Sequence, residues 1–148
     1  MITDRFGLIR LTVTMVIALS AAHCSSYQNT TSKLKDTAYR YNDAVRWRNF
    51  KAAAGYVDES IRKNYLAKRR EQGQSFKVLD YEVMSMRQTE ANKTAEVQVR
   101  FTWHQLPSNV VQKILFKQTW VYGKSRKWWY LRQEEVKNKP KTNTDPVF

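Results

Sequence analysis

The spacing of apolar side chains changes once along this chain. From residue 34 apolar or aromatic residues recur at positions 34, 38, 41, 45, 52 and 56, close to a 3.6-residue period. Trp47, Phe50 and Ala54 widen that stripe. The pattern predicts one long helix from Leu34 to Val57, buried along much of its length. Ala52-Ala53-Ala54 favours helix, and Gly55 marks its end. Asp58 suits the cap of a second, shorter helix, with Glu59 in its first turn. Ile61, Tyr65 and Leu66 give that helix an apolar side, and Gln72-Gly73-Gln74 ends it.

After residue 75 the period becomes two. Leu79, Tyr81 and Val83 alternate with Val78, Asp80 and Glu82. Val97, Val99, Phe101 and Trp103 alternate with polar neighbours, the signature of a half-buried strand. Ile114, Phe116, Gln118, Trp120 and Tyr122 form a third alternating set, and Trp128-Trp129-Tyr130-Leu131 reads as a last short strand. The breaks between them are short and turn-like, so neighbouring strands should pair antiparallel. Two helices followed by a four-stranded meander make an α+β fold, with the helices covering one sheet face. Val97, Val99, Phe101 and Trp103 are the expected occupants of that face.

The segments outside this domain say where the chain belongs. Arg5 and Arg10 precede a twelve-residue apolar run, Leu11 to Ala22, and Cys24 follows it. A spanning helix needs about 20 apolar residues, so the run reads as a cleaved secretory signal. Leu19-Ser20-Ala21-Ala22-His23-Cys24 resembles a bacterial lipoprotein signal, which implies a lipid on the Cys24 sulfur and cleavage before it. The alternative is an ordinary cut after Ser20-Ala21-Ala22, with Cys24 an incidental thiol. The expected organisation is a signal over 1–23, a lipidated cysteine and flexible tether over 24–33, the domain over 34–136, and a disordered basic tail over 137–148. Ser25 and Ser26, in place of an aspartate, point to the outer membrane of a Gram-negative envelope.

Charge narrows the class of partner. The full chain of 148 residues carries a net charge of +13. Residues 1–23 hold Arg5, Arg10 and Asp4, so 24 Lys and Arg face 12 Asp and Glu in the remainder, a net +12. Such a surface favours acidic partners. Export directs attention from nucleic acid to anionic lipid or another anionic envelope component. A single cysteine allows no internal disulfide, so the domain must hold by packing. Five Trp, eight Tyr and six Phe supply the apolar area.

Three strings add a family likeness: Tyr41 to Ala53 in the first helix, Leu106-Pro107-Ser108-Asn109 between strands, and Lys127 to Leu131 at the end. With the element order they resemble the nuclear transport factor 2-like fold, and within it small exported lipoproteins of Gram-negative bacteria. The resemblance implies a curved sheet wrapped around the long helix as a cone. Members of that superfamily include enzymes, ligand carriers and assembly modules, and their sheets can pair into homodimers. Fold alone therefore does not choose an activity.

Candidate chemistry is sparse. Enzymes of the resembled fold place acid and base groups inside the cone. Here His104 falls on the polar strand face with Arg100 and Thr102, and Asp80 and Glu82 read as an exposed pair beside Val78 and Met84. No residue is assigned as catalytic. No metal site or cofactor is expected, because one cysteine and His104 give no ligand set. Trp47, Phe101, Trp103, Trp120, Trp128 and Tyr130 are the candidate lining of a pocket, with core packing the plainer reading. Arg62, Lys63, Lys68, Arg69 and Arg70 are the candidate contact with an anionic surface, with a solvated helix end as the alternative. The chain thus fits two functions. One is a non-enzymatic interaction module with a basic, aromatic surface that meets an envelope component or a protein. The other is a small-molecule binder or enzyme that uses the cone pocket.

Overall fold

The structure, a computed structural model, describes residues 30–71, 75–89, 93–123, 125 and 127–137. Residues 1–29, which hold the expected signal and Cys24, and residues 138–148 of the expected tail lie outside them. The chain divides into two compact units, Met1–Ser32 and Lys33–Phe148. Of the first, only helical residues 30–32 are described, and the second holds the rest of the described chain. Among the described residues no helix is long and apolar enough to cross a membrane.

Helix α1 covers residues 30–46, so residues 30–33, expected in the tether, are helical instead. It buries Leu34, Thr37, Ala38, Tyr41, Asn42 and Val45, a stripe repeating every three or four residues. The single long helix expected through Val57 does not form. The Arg48 amide bonds to the Val45 carbonyl at 3.0 Å and the Asn49 amide to the Ala44 carbonyl at 2.8 Å. Arg48 sits at φ 58°. These are the paired bonds and left-handed residue of a Schellman stop. Glycine normally fills that place. Here the Arg48 side chain donates to the Phe76 carbonyl, which ties the stop to the sheet.

Helix α2, Phe50–Ala54, restarts at once. The Asn49 side chain accepts from the Ala52 amide at 3.1 Å as its cap. The break shifts the helical phase. Ala53, Ala54 and Val57 become buried, while Ala52 is exposed and Trp47 is 74% exposed. Val57 then forms a parallel bridge with Leu131. Helix α3, Glu59–Glu71, starts where expected, with Asp58 accepting from the Ser60 amide at 3.0 Å and its hydroxyl at 2.8 Å.

The sheet is an antiparallel meander in the order β1-β2-β3-β4. Its strands are β1 Phe76–Thr89, β2 Thr94–Gln105, β3 Gln112–Gly123 and β4 Trp128–Val136. The inner face of β2 carries Val97, Val99, Phe101 and Trp103, as the alternation requires, and Ala95 extends it. Two irregularities overturn simple alternation elsewhere. In β1 the register shifts between Val78 and Asp80 and again between Val83 and Ser85. Each extra residue turns the side chains that follow it to the other face. Val78, Tyr81, Val83 and Met86 therefore pack on the core, and Leu79 does not share their face. A third shift falls in the β3–β4 pairing, where Trp120 opposes Leu131 but Thr119 opposes Gln133. Arg132 is the extra residue, and β4 continues past the expected end at Leu131 to Val136.

Side chains fill the space between helices and sheet. Trp103, Trp120, Trp129, Tyr41, Phe101 and Phe116 are its largest buried members. Tyr41 meets Trp120 edge-on at 5.6 Å, and Phe101 meets Phe116 edge-on at 5.8 Å. Trp129 takes the inward place in β4, leaving Trp128 and Tyr130 on the opposite parity. Trp129→Ala should therefore lower stability in urea by about 3–5 kcal/mol. Trp128→Ala should cost about 1 kcal/mol or less. The reverse order would show that β4 is assigned to the wrong face.

Candidate functional site

The bulge at Arg132 has a chemical result. It turns Glu134 inward from β4, and α3 brings Arg69 to meet it. Arg69 is 3% exposed, and its guanidinium lies 3.2 Å from the Glu134 carboxylate, whose side chain is 7% exposed. The second carboxylate oxygen accepts from the Gln118 side-chain amide at 2.9 Å. That amide also donates to Asn42 Oδ1 at 2.8 Å, and Asn42 Nδ2 donates to the Ala38 carbonyl at 2.7 Å. Arg69 also donates to the Tyr41 hydroxyl at 3.3 Å. Residues from α1, α3, β3 and β4 are thus joined in one buried polar chain.

Burying two ions is expensive, and only close pairing with satisfied hydrogen bonds compensates it. The network meets that requirement. Burial, followed by the Glu134 charge, pushes the Tyr41 hydroxyl well above the ordinary tyrosine range. Burial works against the Arg69 charge, but Tyr41 and Glu134 more than offset it and hold the guanidinium above its ordinary value. Arg69 also lies over the rings of Tyr65 at 4.7 Å and Phe50 at 5.5 Å. Both contacts favour a cation.

The outer side of Arg69 forms part of an open cleft of about 720 Å³ between α2 and α3. Arg48, Asn49, Phe50, Lys51, Leu66, Arg69 and Arg70 line it. Four of these seven are cations and none is a carboxylate. Two other clefts are smaller. One of about 270 Å³ is lined by Asp58, Glu59, Arg62, Ser125 and Tyr130. The other, about 440 Å³, is lined by Ala52, Gly55, Tyr56, Trp128 and Tyr130.

The residues singled out in the sequence are therefore divided. Of the basic run, Arg69 is not a surface contact, because it is buried against Glu134. Arg62 is half-buried and donates to the Val57 carbonyl at 3.0 Å, while Lys63, Lys68 and Arg70 are exposed. Of the aromatic set, Phe101, Trp103 and Trp120 are closed into the core, and Trp47 projects from the α1–α2 junction under the Arg46 guanidinium at 5.4 Å. Trp128 and Tyr130 border the 440 Å³ cleft on the outside. Asp80 pairs with Arg46 at 3.2 Å and Glu82 with Arg100 at 2.6 Å, both on the exposed side. His104 Nδ1 lies 3.3 Å from the Ser108 carbonyl at the turn entry. Among the described residues no group of three or more His, Cys, Asp or Glu could hold a metal.

Sequence reasoning missed Asn42, Gln118 and Glu134. One signal was present: Gln118 interrupts an otherwise apolar inward set in β3. A polar residue there requires buried partners.

No family model matches this chain, and no curated protein sequence matches it. Solved structures do. A ketosteroid isomerase-like protein from Erwinia carotovora atroseptica matches 70% of this chain and 91% of its own, with a TM-score of 0.50 and 14% identity. The fold is nuclear transport factor 2-like. The intermembrane space region of the chloroplast protein ARC6 matches more loosely, with a TM-score of 0.41 and 17% identity over 76% of this chain and 94% of its own. At 14% identity the likeness to the isomerase-like protein extends to the fold and no further.

In this nuclear transport factor 2-like domain the polar chain occupies the cone interior. Removing one member should leave the other charge buried and unpaired. Arg69→Met is expected to lose about 3–5 kcal/mol of stability by urea unfolding. Arg69→Met combined with Glu134→Gln should recover much of that loss, because no buried ion is left alone. Equal losses in the single and double variants would contradict the pairing.

Proposed function

We propose that this chain is an exported envelope protein of Gram-negative type, anchored at the outer membrane by a lipid on Cys24. Its domain serves as a non-enzymatic interaction module that holds an anionic envelope component at the basic α2–α3 cleft. One contrast carries this reading. The cone interior is occupied by side chains and its buried ion pair is closed, while the open cleft presents the exposed cations Lys51 and Arg70 with no carboxylate among its described lining residues.

An acid or base must reach its substrate to move a proton. Glu134, the carboxylate turned into the cone, is instead held by Arg69 and Gln118. The likeness to an isomerase-like protein therefore supports a shared scaffold, without supporting a shared reaction. In the cleft, Arg69 is already neutralised by Glu134, so the unspent charge belongs mainly to Lys51 and Arg70, both exposed. Phe50 and Leu66 add an apolar wall. That combination suits a phosphate or carboxylate carried on a partly apolar body.

Two measurements test the reading. Intact mass of the membrane-extracted protein should begin at residue 24 and include acyl chains, and Cys24→Ser should release the domain. An unacylated mature mass would remove the anchor. Titration with tripolyphosphate should show Lys51→Glu/Arg70→Glu binding at least about tenfold more weakly than the parent, equivalent to about 1.4 kcal/mol. Lys63→Glu should bind nearly as the parent does. Equal affinities for all three proteins would remove the cleft.

A further inference from the structure

The cleft opens at one end of the domain, and the sheet register defines that end. Phe76 at the start of β1 pairs with Gln105 at the end of β2, and the Leu106 amide donates to the Ser75 carbonyl at 2.8 Å. Residues 106–111 connect β2 to β3 there. Arg48 reaches the Phe76 carbonyl, so the α1–α2 junction lies at the same end. Arg46, paired with Asp80, holds the Trp47 ring beside it.

Exposed apolar side chains gather at this end. Trp47 is 74% exposed, Val110 65%, Val111 54% and Leu106 49%, and Leu79 is also exposed. Of the large apolar side chains exposed among the described residues, only Tyr39 and Met84 lie elsewhere. The same end carries Lys51 and Arg70 from the cleft, and exposed Lys77 and Lys113 from the sheet. Its carboxylates are fewer. Asp80 is bound by Arg46, and Asp43 and Glu71 are exposed on α1 and α3.

We propose that this end beds into the surface of an anionic lipid bilayer. Trp47, Leu106, Val110 and Val111 enter the headgroup boundary, and Lys51, Arg70, Lys77 and Lys113 meet the lipid phosphates. The proposal deepens the cleft reading and rests on it for the anion. Residue type, charge and shape favour a bilayer over a protein. Tryptophan favours the membrane–water boundary, where one edge of its ring is apolar and the other wet. Each Lys or Arg held near an anionic surface adds to the attraction. The apolar groups are also tips, on a strand-connecting loop and a helix end. A fluid surface accepts tips, whereas a specific protein interface needs about 800 Å² of matched surface on each side.

The test uses the full chain with vesicles of phosphatidylglycerol and phosphatidylcholine in equal parts, and of phosphatidylcholine alone. The fluorescence difference between the parent and Trp47→Phe isolates the Trp47 signal. Lipids with brominated acyl chains should quench that signal in the anionic vesicles and leave it nearly unchanged in the neutral ones. Val110→Asp/Val111→Asp should abolish the quenching while the chain still floats with the vesicles through its N-terminal segment. Lys51→Glu/Arg70→Glu should reduce it. Trp47 remaining as open to aqueous acrylamide with anionic vesicles as without them would overturn the proposal. So would its shielding by self-association in the absence of lipid. If tripolyphosphate binds normally while Trp47 stays aqueous, the cleft stands and the bilayer contact falls. If tripolyphosphate does not bind yet Trp47 is quenched equally in both vesicles, the anion reading fails and with it the electrostatic part of this proposal.

Discussion

A guanidinium taken out of water needs an opposite charge within hydrogen-bond reach, and Arg69 reaches Glu134 across the cone. That requirement connects much of the architecture. α3 must lie close enough to β4 for the two side chains to meet, and the Arg132 bulge must turn Glu134 inward. Gln118 and Asn42 then occupy places that an ordinary core would give to apolar residues. They are tolerated because each amide finds a partner in the chain that starts at the carboxylate. Truncating any one of them would leave a buried group unsatisfied.

The same pair explains why the interior and the surface behave differently. Inside, Glu134 closes the Arg69 charge, and the Tyr41 hydroxyl accepts from the guanidinium among the aromatic rings. Outside, Arg69 borders a cleft that also carries exposed Lys51 and Arg70, and its described lining includes no carboxylate. Arg69 is thus a strut within, while the exposed charge of the wall comes from its neighbours Lys51 and Arg70. The end of the domain that carries this wall also exposes Trp47 and the loop at Val110, joining positive charge to apolar surface.

Much of the architecture was legible because it depends on periodicity. The change from a period near 3.6 to a period of two identified the order of helices and strands, and the β2 face was read residue by residue. What escaped depends on single-residue exceptions to period. Arg48 adopts a left-handed conformation where glycine usually announces a helix stop, so the break after α1 had no sequence marker. The extra residues in β1 and at Arg132 shift parity without leaving a turn signal. Trp128 and Trp129 could be placed on opposite faces but not told apart, and the choice depends on the pairing with β3. Arg69 looked like its neighbours Lys68 and Arg70. Only its partner sixty-five residues away distinguishes it. Gln118 was the exception that could be read, as a polar residue on a face otherwise reserved for the core.

Burial seals the Arg69–Glu134 pair from solvent and fixes it in place. Side-chain nitrogen NMR of the arginines at neutral pH tests this most directly. Arg69 should give resolved guanidinium resonances, with hindered rotation and slow proton exchange, while Arg70 exchanges quickly as an exposed side chain does. Exchange at Arg69 as fast as at Arg70 would mean that water reaches the pair and that the cone interior is open.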